Sequence, residues 1–487
     1  MQPSLGKRSW NAGLPALVAA GFAGLFAAMA FVAARYGGPL ALGALVGAAV
    51  LAIVFFVHPF VFFTLYFAAL FFADTKLPGI PLSVNQILAG LLFVSWVGYL
   101  WRGRTVAIRS SLLPWFTLMA VYFTLSALLG ESPPHGFVMA RYVVIYYALA
   151  LILASCLRSE CAIYAYAWII VSLTFLIAVG GLVEAFQRGT FWAFAGKITD
   201  AVRVKGAAST ANVYGWNLLF AYPFAFFLFS QMQRRWLRAL ALGMGGFILF
   251  VALLTLSRQT IVLAGLLLIV CAQAFRYAGR RKVLAAVAVF IVLCGVLVAP
   301  AIVARFLSVT RLSRDYSYLE RRDSALICFE VIKARPVFGV GFGSYTAVWR
   351  NYLPPDYRTF FAQYIEASRP RSPDEGYLQI TAETGFVGLA LFLTFVFAIG
   401  RRIRVVRALA RSYDDAFAYN LATLVLASLL QFLASTFTDD TFLYVRVWLM
   451  YPLALLLDRR MLWGDEPLPE APASAHPSSR STSEAYS

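Results

Sequence analysis

Apolar stretches of about 17–25 residues recur along most of this chain, each long enough to cross a hydrocarbon core of roughly 30 Å. In such a core the backbone has no water to bond, so only helices or closed barrels can span it. The 487 residues are 61% hydrophobic and 13% charged, with a mean hydropathy of +0.75. A soluble domain of that size could not cover its surface with so few charges. The expected fold is an all-α polytopic membrane protein of about fourteen transmembrane helices, with one large, partly helical loop between its spans. The spans are expected at 13–34, 39–57, 59–73, 83–101, 112–130, 137–155, 162–184, 211–230, 238–256, 260–275, 283–304, 378–399, 418–436 and 443–457. The third is short and is read as a hairpin with the second.

Orientation follows from the basic residues. With the N-terminus inside, the segments on the inner side of the spans up to Arg460 hold 20 Lys and Arg, and the short outer loops hold 7. This bias is the positive-inside pattern and makes both termini cytoplasmic. Residues 1–304 then form eleven spans with short loops, 305–377 a large outer loop, and 378–460 three more spans. The Pro/Ser/Ala-rich tail 461–487 lacks apolar periodicity and is expected to be disordered. The first apolar run is read as a retained helix, not a cleaved signal.

The net charge of +18 would suggest nucleic acid in a soluble protein. Here much of the excess serves topology, and no nucleic-acid partner is expected. The outer loop is the exception, because it carries eleven Lys and Arg on the face that disfavours them. An anionic ligand accounts for such a loop. The five cysteines show no disulfide framework or C-x-x-C pair. The three histidines, His58, His135 and His476, lie outside the loop. No metal site and no cofactor are expected.

Charge on the outer face gathers in three places: "KITDAVRVKGAAST" (197–210), Arg258 in "TLSRQTIVL", and the long loop. Arg258 sits at the tip of a tight hairpin at the hydrocarbon edge, where a cation is costly. It either snorkels to headgroups or grips a phosphate bidentately. Arg203, Arg321 and Arg322 are further candidates for anion binding. Arg141 and Arg446 lie inside spans and are read as structural partners of acids such as Glu184, Asp439 or Asp440. "GVGFGSY" (339–345) lacks the Lys-Ser/Thr ending of a phosphate loop and reads as a tight turn after a helix at about 318–334. Asp374 and Glu375, in "RSPDEGYLQITAETGFVG", either complement the dipole of a helix N-terminus or serve as a general base beside the basic loop.

These pieces, in this order, resemble the bacterial O-antigen ligase and Wzy-type polysaccharide polymerase superfamily. The resemblance covers about residues 190–437. It is carried by "RVKGAASTANVYGWNLLFAYPFA", "LLTLSRQTIVLAGLLL", "ALICFEVIKARPVFGVGFGSY" and "DEGYLQITAETGFVGLALF". It implies a metal-independent, inverting membrane glycosyltransferase at the outer face of the inner membrane. Its substrates would be an undecaprenyl-diphosphate-linked glycan donor and a glycan acceptor, with membrane lipid, a flippase and a chain-length regulator as partners. Arg203 and Arg258 fall where the family carries arginines, and they would bind the diphosphate with Arg321 and Arg322. Asp374, with Glu375 as its second, stands where ligases carry a histidine. That departure favours a polymerase of O-antigen, capsule or exopolysaccharide over a ligase acting on lipid A core or protein. A polysaccharide or lipid transporter is the alternative of another class; charge concentrated on one face and no evident internal repeat speak against it.

Overall fold

The structure is a computed structural model. It describes residues 53–69, 84–103, 108, 110–157, 159–187, 204, 210–277, 316–353, 373, 375–437 and 448–458. Spans one and eleven and the tail lie outside these residues, as do Arg203, Asp374, Arg446, Asp439 and Asp440. Among the described residues every regular element is a helix. In chain order they are α1 (Pro59–Ala69), α2 (Val84–Trp101), α3 (Leu113–Leu128), α4 (Pro133–Cys156), α5 (Glu160–Gln187), α6 (Ala211–Leu219) and α7 (Tyr222–Gln231). Then follow α8 (Arg235–Leu254), α9 (Arg258–Ala274), α10 (Tyr316–Ala334), α11 (Tyr345–Val348), α12 (Gly376–Ser412), α13 (Ala416–Thr436) and α14 (Tyr451–Leu456). Seven helical segments among the described residues are long and apolar enough to cross a membrane, and α1, α3 and α9 are shorter apolar helices. The described residues are thus all-helical, and their apolar helices suggest a multi-pass membrane protein. About fourteen spans is a larger number than the described helices establish.

Three expected boundaries differ. The eighth span is interrupted, with α6 ending at Leu219 and α7 starting at Tyr222. Pro223 causes this, because it has no N–H for the Leu219 carbonyl and its ring crowds that turn. The pair is the most enclosed segment of the bundle, and Gln431 Nε2 from α13 reaches the Trp216 carbonyl at 2.9 Å. The basic stretch "RRIRVVRALAR" is helical to Ser412 as the end of α12, not a loop. At the start of α8, Arg235 to Arg238 are likewise already helical.

α12 is the pivotal element. It breaks at Gly385, whose φ of 66° and ψ of −174° lie outside the helical region. A kink inside a membrane helix frees backbone groups that must find partners in protein. Here the Pro336–Gly341 turn supplies them. In an unbroken helix Phe386 N–H would bond the Ala382 carbonyl and Val387 N–H the Glu383 carbonyl. Instead Phe386 donates to Pro336 O at 2.9 Å and Val387 to Val337 O at 3.3 Å. The vacated carbonyls accept from the turn: Ala382 O from Val340 N–H (3.1 Å) and Glu383 O from Gly341 N–H (2.8 Å). Thr384 O accepts from the Tyr122 hydroxyl of α3 at 2.7 Å. The turn achieves this path with positive φ at Gly339, Gly341 and Gly343, as the sequence leads one to expect. At Gly341 a Cβ would come within 2.2 Å of Gly130 Cα, so the turn lies flush on the end of α3.

The two ends of the bundle carry different chemistry. One gathers the turn, Glu131, Arg335 and the start of α12. The other holds the Arg402–Asp458 and Arg276–Asp414 ion pairs, with Arg276, Arg407 and Arg411 around the Tyr419 ring. Between them, Phe116, Phe395, Trp448 and Tyr451 pack α3, α12 and α14 together.

A Cβ at Gly385 would lie 2.1 Å from the Val337 carbonyl oxygen, whereas one at Gly400 meets nothing within 4 Å. Gly385→Ala is therefore expected to cost at least about 1–3 kcal/mol from backbone strain alone. Gly400→Ala should be neutral or stabilising by about 0.5–1 kcal/mol. Thermal unfolding of both variants in detergent checks this; equal melting temperatures would show that the break is not strained by a side chain.

Candidate functional site

Arg258 opens α9 at the tip of the α8–α9 hairpin, as expected from its place between two apolar runs. The connection is three residues long, Thr255 to Ser257, and is buried throughout. Leu256 has a φ of 50°, uncommon for a residue with a branched side chain and a mark of stored strain. The Ser257 hydroxyl caps α9 by accepting from Thr260 N–H at 3.4 Å. A Cβ on Gly215 would come within 2.2 Å of Thr260 Oγ1, so α6 lies directly against this turn. Arg258 itself is half-buried. A cation at a helix N-terminus works against the helix dipole. The two positive fields add, and together they favour an anion at this end of α9.

The same end of the bundle holds Glu375, through α13. Gln259 Nε2, next to Arg258, donates to the Ser435 carbonyl at 3.3 Å. Tyr377, two residues after Glu375, donates its hydroxyl to the Leu433 carbonyl at 3.0 Å and packs its ring on Phe437 at 4.7 Å. Both candidate segments therefore grip the last turn of α13. Glu375 is the N-cap residue of α12, yet its carboxylate makes no cap hydrogen bond.

Below Glu375, the half-helix Gly376–Thr384 carries a polar row. Glu375, Gln379 and Glu383 recur every four residues and so share a face. Gln379 and Glu383 are buried, Glu383 with no exposed surface. Cys328 of α10 and Tyr345 of α11 lie within electrostatic reach of Glu383, and Cys328 also of Glu375. Burial pushes the Cys328 thiol up to about 12; a hydrogen bond with Tyr345 opposes this, and the two glutamates add to it. Burial, reinforced by Cys328, raises the Tyr345 hydroxyl far beyond its ordinary value. The Tyr345 hydroxyl donates to the Ser324 carbonyl at 3.4 Å, which ties α11 to α10.

Arg321 and Arg322 lie on α10, the helix expected at about 318–334 and found at Tyr316–Ala334. Arg321 is half-buried and Arg322 exposed, and α10 packs on α12. The neighbours of Arg258 and Glu375, Gln259 and Tyr377, thus meet the last turn of α13, and Arg321 and Arg322 belong to a helix that touches α12. Arg203 and Asp374 fall outside the described residues. No group of three or more His, Cys, Asp or Glu residues that could hold a metal occurs among the described residues.

Sequence reasoning overlooked the Gln379–Glu383 row, although its four-residue spacing is legible in "EGYLQITAE". It also overlooked Glu131, Arg335 and Tyr352. There Arg335 Nε bonds Glu131 Oε1 at 3.1 Å, and the Tyr352 hydroxyl lies 3.1 and 3.2 Å from the two Glu131 oxygens. Burial and the Glu131 charge raise the Tyr352 hydroxyl above its usual value. Nothing in the local sequence links residues this far apart.

Residues 243–393 match the family model described as O-antigen ligase, Wzy_C. The segment carries the signature of the O-antigen ligase and Wzy-type superfamily. It runs from within α8 through the Arg258 turn, α10 and the glycine turn to just beyond the break in α12, so it includes the described candidate residues. At family level this supports glycan transfer by a membrane glycosyltransferase-like enzyme, with lipid-linked glycans as substrates. No curated protein matches the chain at a significant level.

The packing of α10 on α12 has a reactivity signature. With its pKa near 12, Cys328 has a thiolate fraction on the order of one in ten thousand at pH 8. Maleimide treatment of the native protein, followed by peptide mapping, should modify the exposed Cys161 and spare Cys328. Rapid modification of Cys328 would mean that α10 separates readily from the half-helix.

Proposed function

We propose that this protein polymerises undecaprenyl-diphosphate-linked oligosaccharide repeat units, with inversion, at the periplasmic face of the inner membrane. The product would be an O-antigen, capsule or exopolysaccharide. The observation that carries this reading is the shared grip of the Arg258 and Glu375 segments on the last turn of α13. It brings a cation suited to a diphosphate and an acidic segment to one end of the bundle.

The chemistry suits these groups. As the anomeric carbon–oxygen bond breaks, negative charge grows on the lipid diphosphate. Arg258, with Arg203 and further support from Arg321 and Arg322, stabilises that charge where water is sparse. A hydroxyl of the second glycan attacks the anomeric carbon from the opposite side, which inverts its configuration. Asp374 takes or orients the hydroxyl proton, and Glu375 supports it. The orientation expected from the basic residues puts this end outside the cytoplasm. A ligase reading also stands, because the matching family model is itself described as O-antigen ligase. It differs in acceptor, not in the bond that breaks.

Purified protein supplied with a polyprenyl-diphosphate oligosaccharide should make a ladder of longer lipid-linked chains. Arg258→Ala is expected to slow elongation about 10²–10³-fold, the usual cost of losing one preorganised charge stabiliser. Asp374→Asn should stop it. A fully active Arg258→Ala enzyme removes the diphosphate site proposed here. Chains that lengthen only on lipid A core or protein favour the ligase reading.

A further inference from the structure

A groove of about 780 Å3 runs between the end of α3 and the Pro336–Gly341 turn. Tyr122, Leu125 and Leu129 line it from α3, and Val337 and Phe338 from the turn. Its apolar lips are conspicuously bare: Leu129 is 83% exposed and Phe338 66%. In water such a patch is unusual, whereas at a membrane edge it faces acyl chains. The mouth is charged. Arg335 and Glu131 form their ion pair there, and the Arg335 side chain remains 61% exposed. A guanidinium has five donors, and its bonds to Glu131 and Tyr352 occupy only part of them, so others remain for a ligand.

The groove also has a defined relation to the candidate site. Its wall is the turn that satisfies the break in α12, so it is tied to the half-helix that follows Glu375. α3 and α13 both pack on α12: Tyr122 meets Thr384 and Gly388, while Leu433 and Phe432 meet Tyr377 and Phe392. The half-helix therefore contacts both the helix that lines the groove and the helix that meets the Arg258 segment. A reaction that joins two lipid-anchored glycans needs two places for lipid anchors beside one catalytic segment.

We infer that the groove between α3 and the glycine turn docks the lipid anchor of the acceptor, with its apolar chain along Leu125 and Phe338 and its phosphate on Arg335. The inference rests on the glycan-transfer reading above and adds a second anchor site to it. The opposite charges at the mouth serve this role. Glu131 holds Arg335 in place, and the phosphate takes the donors that remain.

The full-length protein in phosphatidylcholine nanodiscs, photolabelled with a benzophenone-tagged farnesyl diphosphate and mapped by peptide, provides the test. Two labelled regions are expected, one at residues 122–131 and 334–341, the other around Arg258 and the end of α13. Arg335→Gln should lower groove labelling about ten-fold, the loss of one charge-assisted hydrogen bond, and leave the Arg258 region labelled. Phe338→Asp should do the same without touching the ion pair, which separates loss of binding from loss of fold. Labelling confined to the Arg258 region would overturn the groove assignment and leave the transfer reading standing. Groove labelling abolished by excess phosphatidylglycerol would make the groove a site for bulk phospholipid and overturn it as well. Labelling of neither region would count against both.

Discussion

The structure depends on how the protein satisfies the backbone freed at Gly385. An open helical turn in a low-dielectric medium leaves N–H and C=O groups whose desolvation costs several kcal/mol each. Here a turn from another part of the chain takes over the missing bonds almost one for one. The Pro336–Gly341 segment and the broken turn of α12 behave as one unit, because neither has its backbone groups satisfied without the other. The turn's three positive-φ glycines and the one in α12 are the conformational means to that end.

This latch sets the direction of the acidic segment. The half-helix Gly376–Thr384 leaves the line of the long helix and carries Glu375, Gln379 and Glu383 along one face. The same turn rests on α3 and brings α10 with it, so the loop that follows the eleventh expected span packs on the membrane helices. α13 completes the arrangement by holding both Tyr377 and Gln259 at its last turn. In the reaction proposed above, whose main demand is to stabilise charge on a departing diphosphate, such fixed placement of cations and acids would be the protein's main contribution.

The opposite end of the bundle uses its charges differently. Arg402 pairs with Asp458, Arg276 with Asp414, and three arginines surround the Tyr419 ring. Such contacts absorb basic residues that topology places there, and they tie α9, α12, α13 and α14 at their ends. Arg335, beside the glycine turn, is ion-paired too, but its side chain stays 61% exposed.

Helical class, the tight hairpin that displays Arg258, the helix before the glycine turn and the turn itself were all legible in the sequence. The reason is that each follows from a local rule: apolar length, chain reversal, or the freedom of glycine at positive φ. The interruption at Pro223 and the break at Gly385 were not read, because a proline or glycine inside an apolar run is also compatible with a continuous span. What brings the Arg258 and Glu375 segments to α13, or Glu131 onto Arg335, lies further from reach, since these contacts join residues 176, 56 and 204 positions apart. The sequence by itself determined that the chain must be helical in lipid and which side chains could meet an anion. Only the tertiary structure decided which of them share a helix end, because that depends on long-range packing and on where freed backbone groups find their partners.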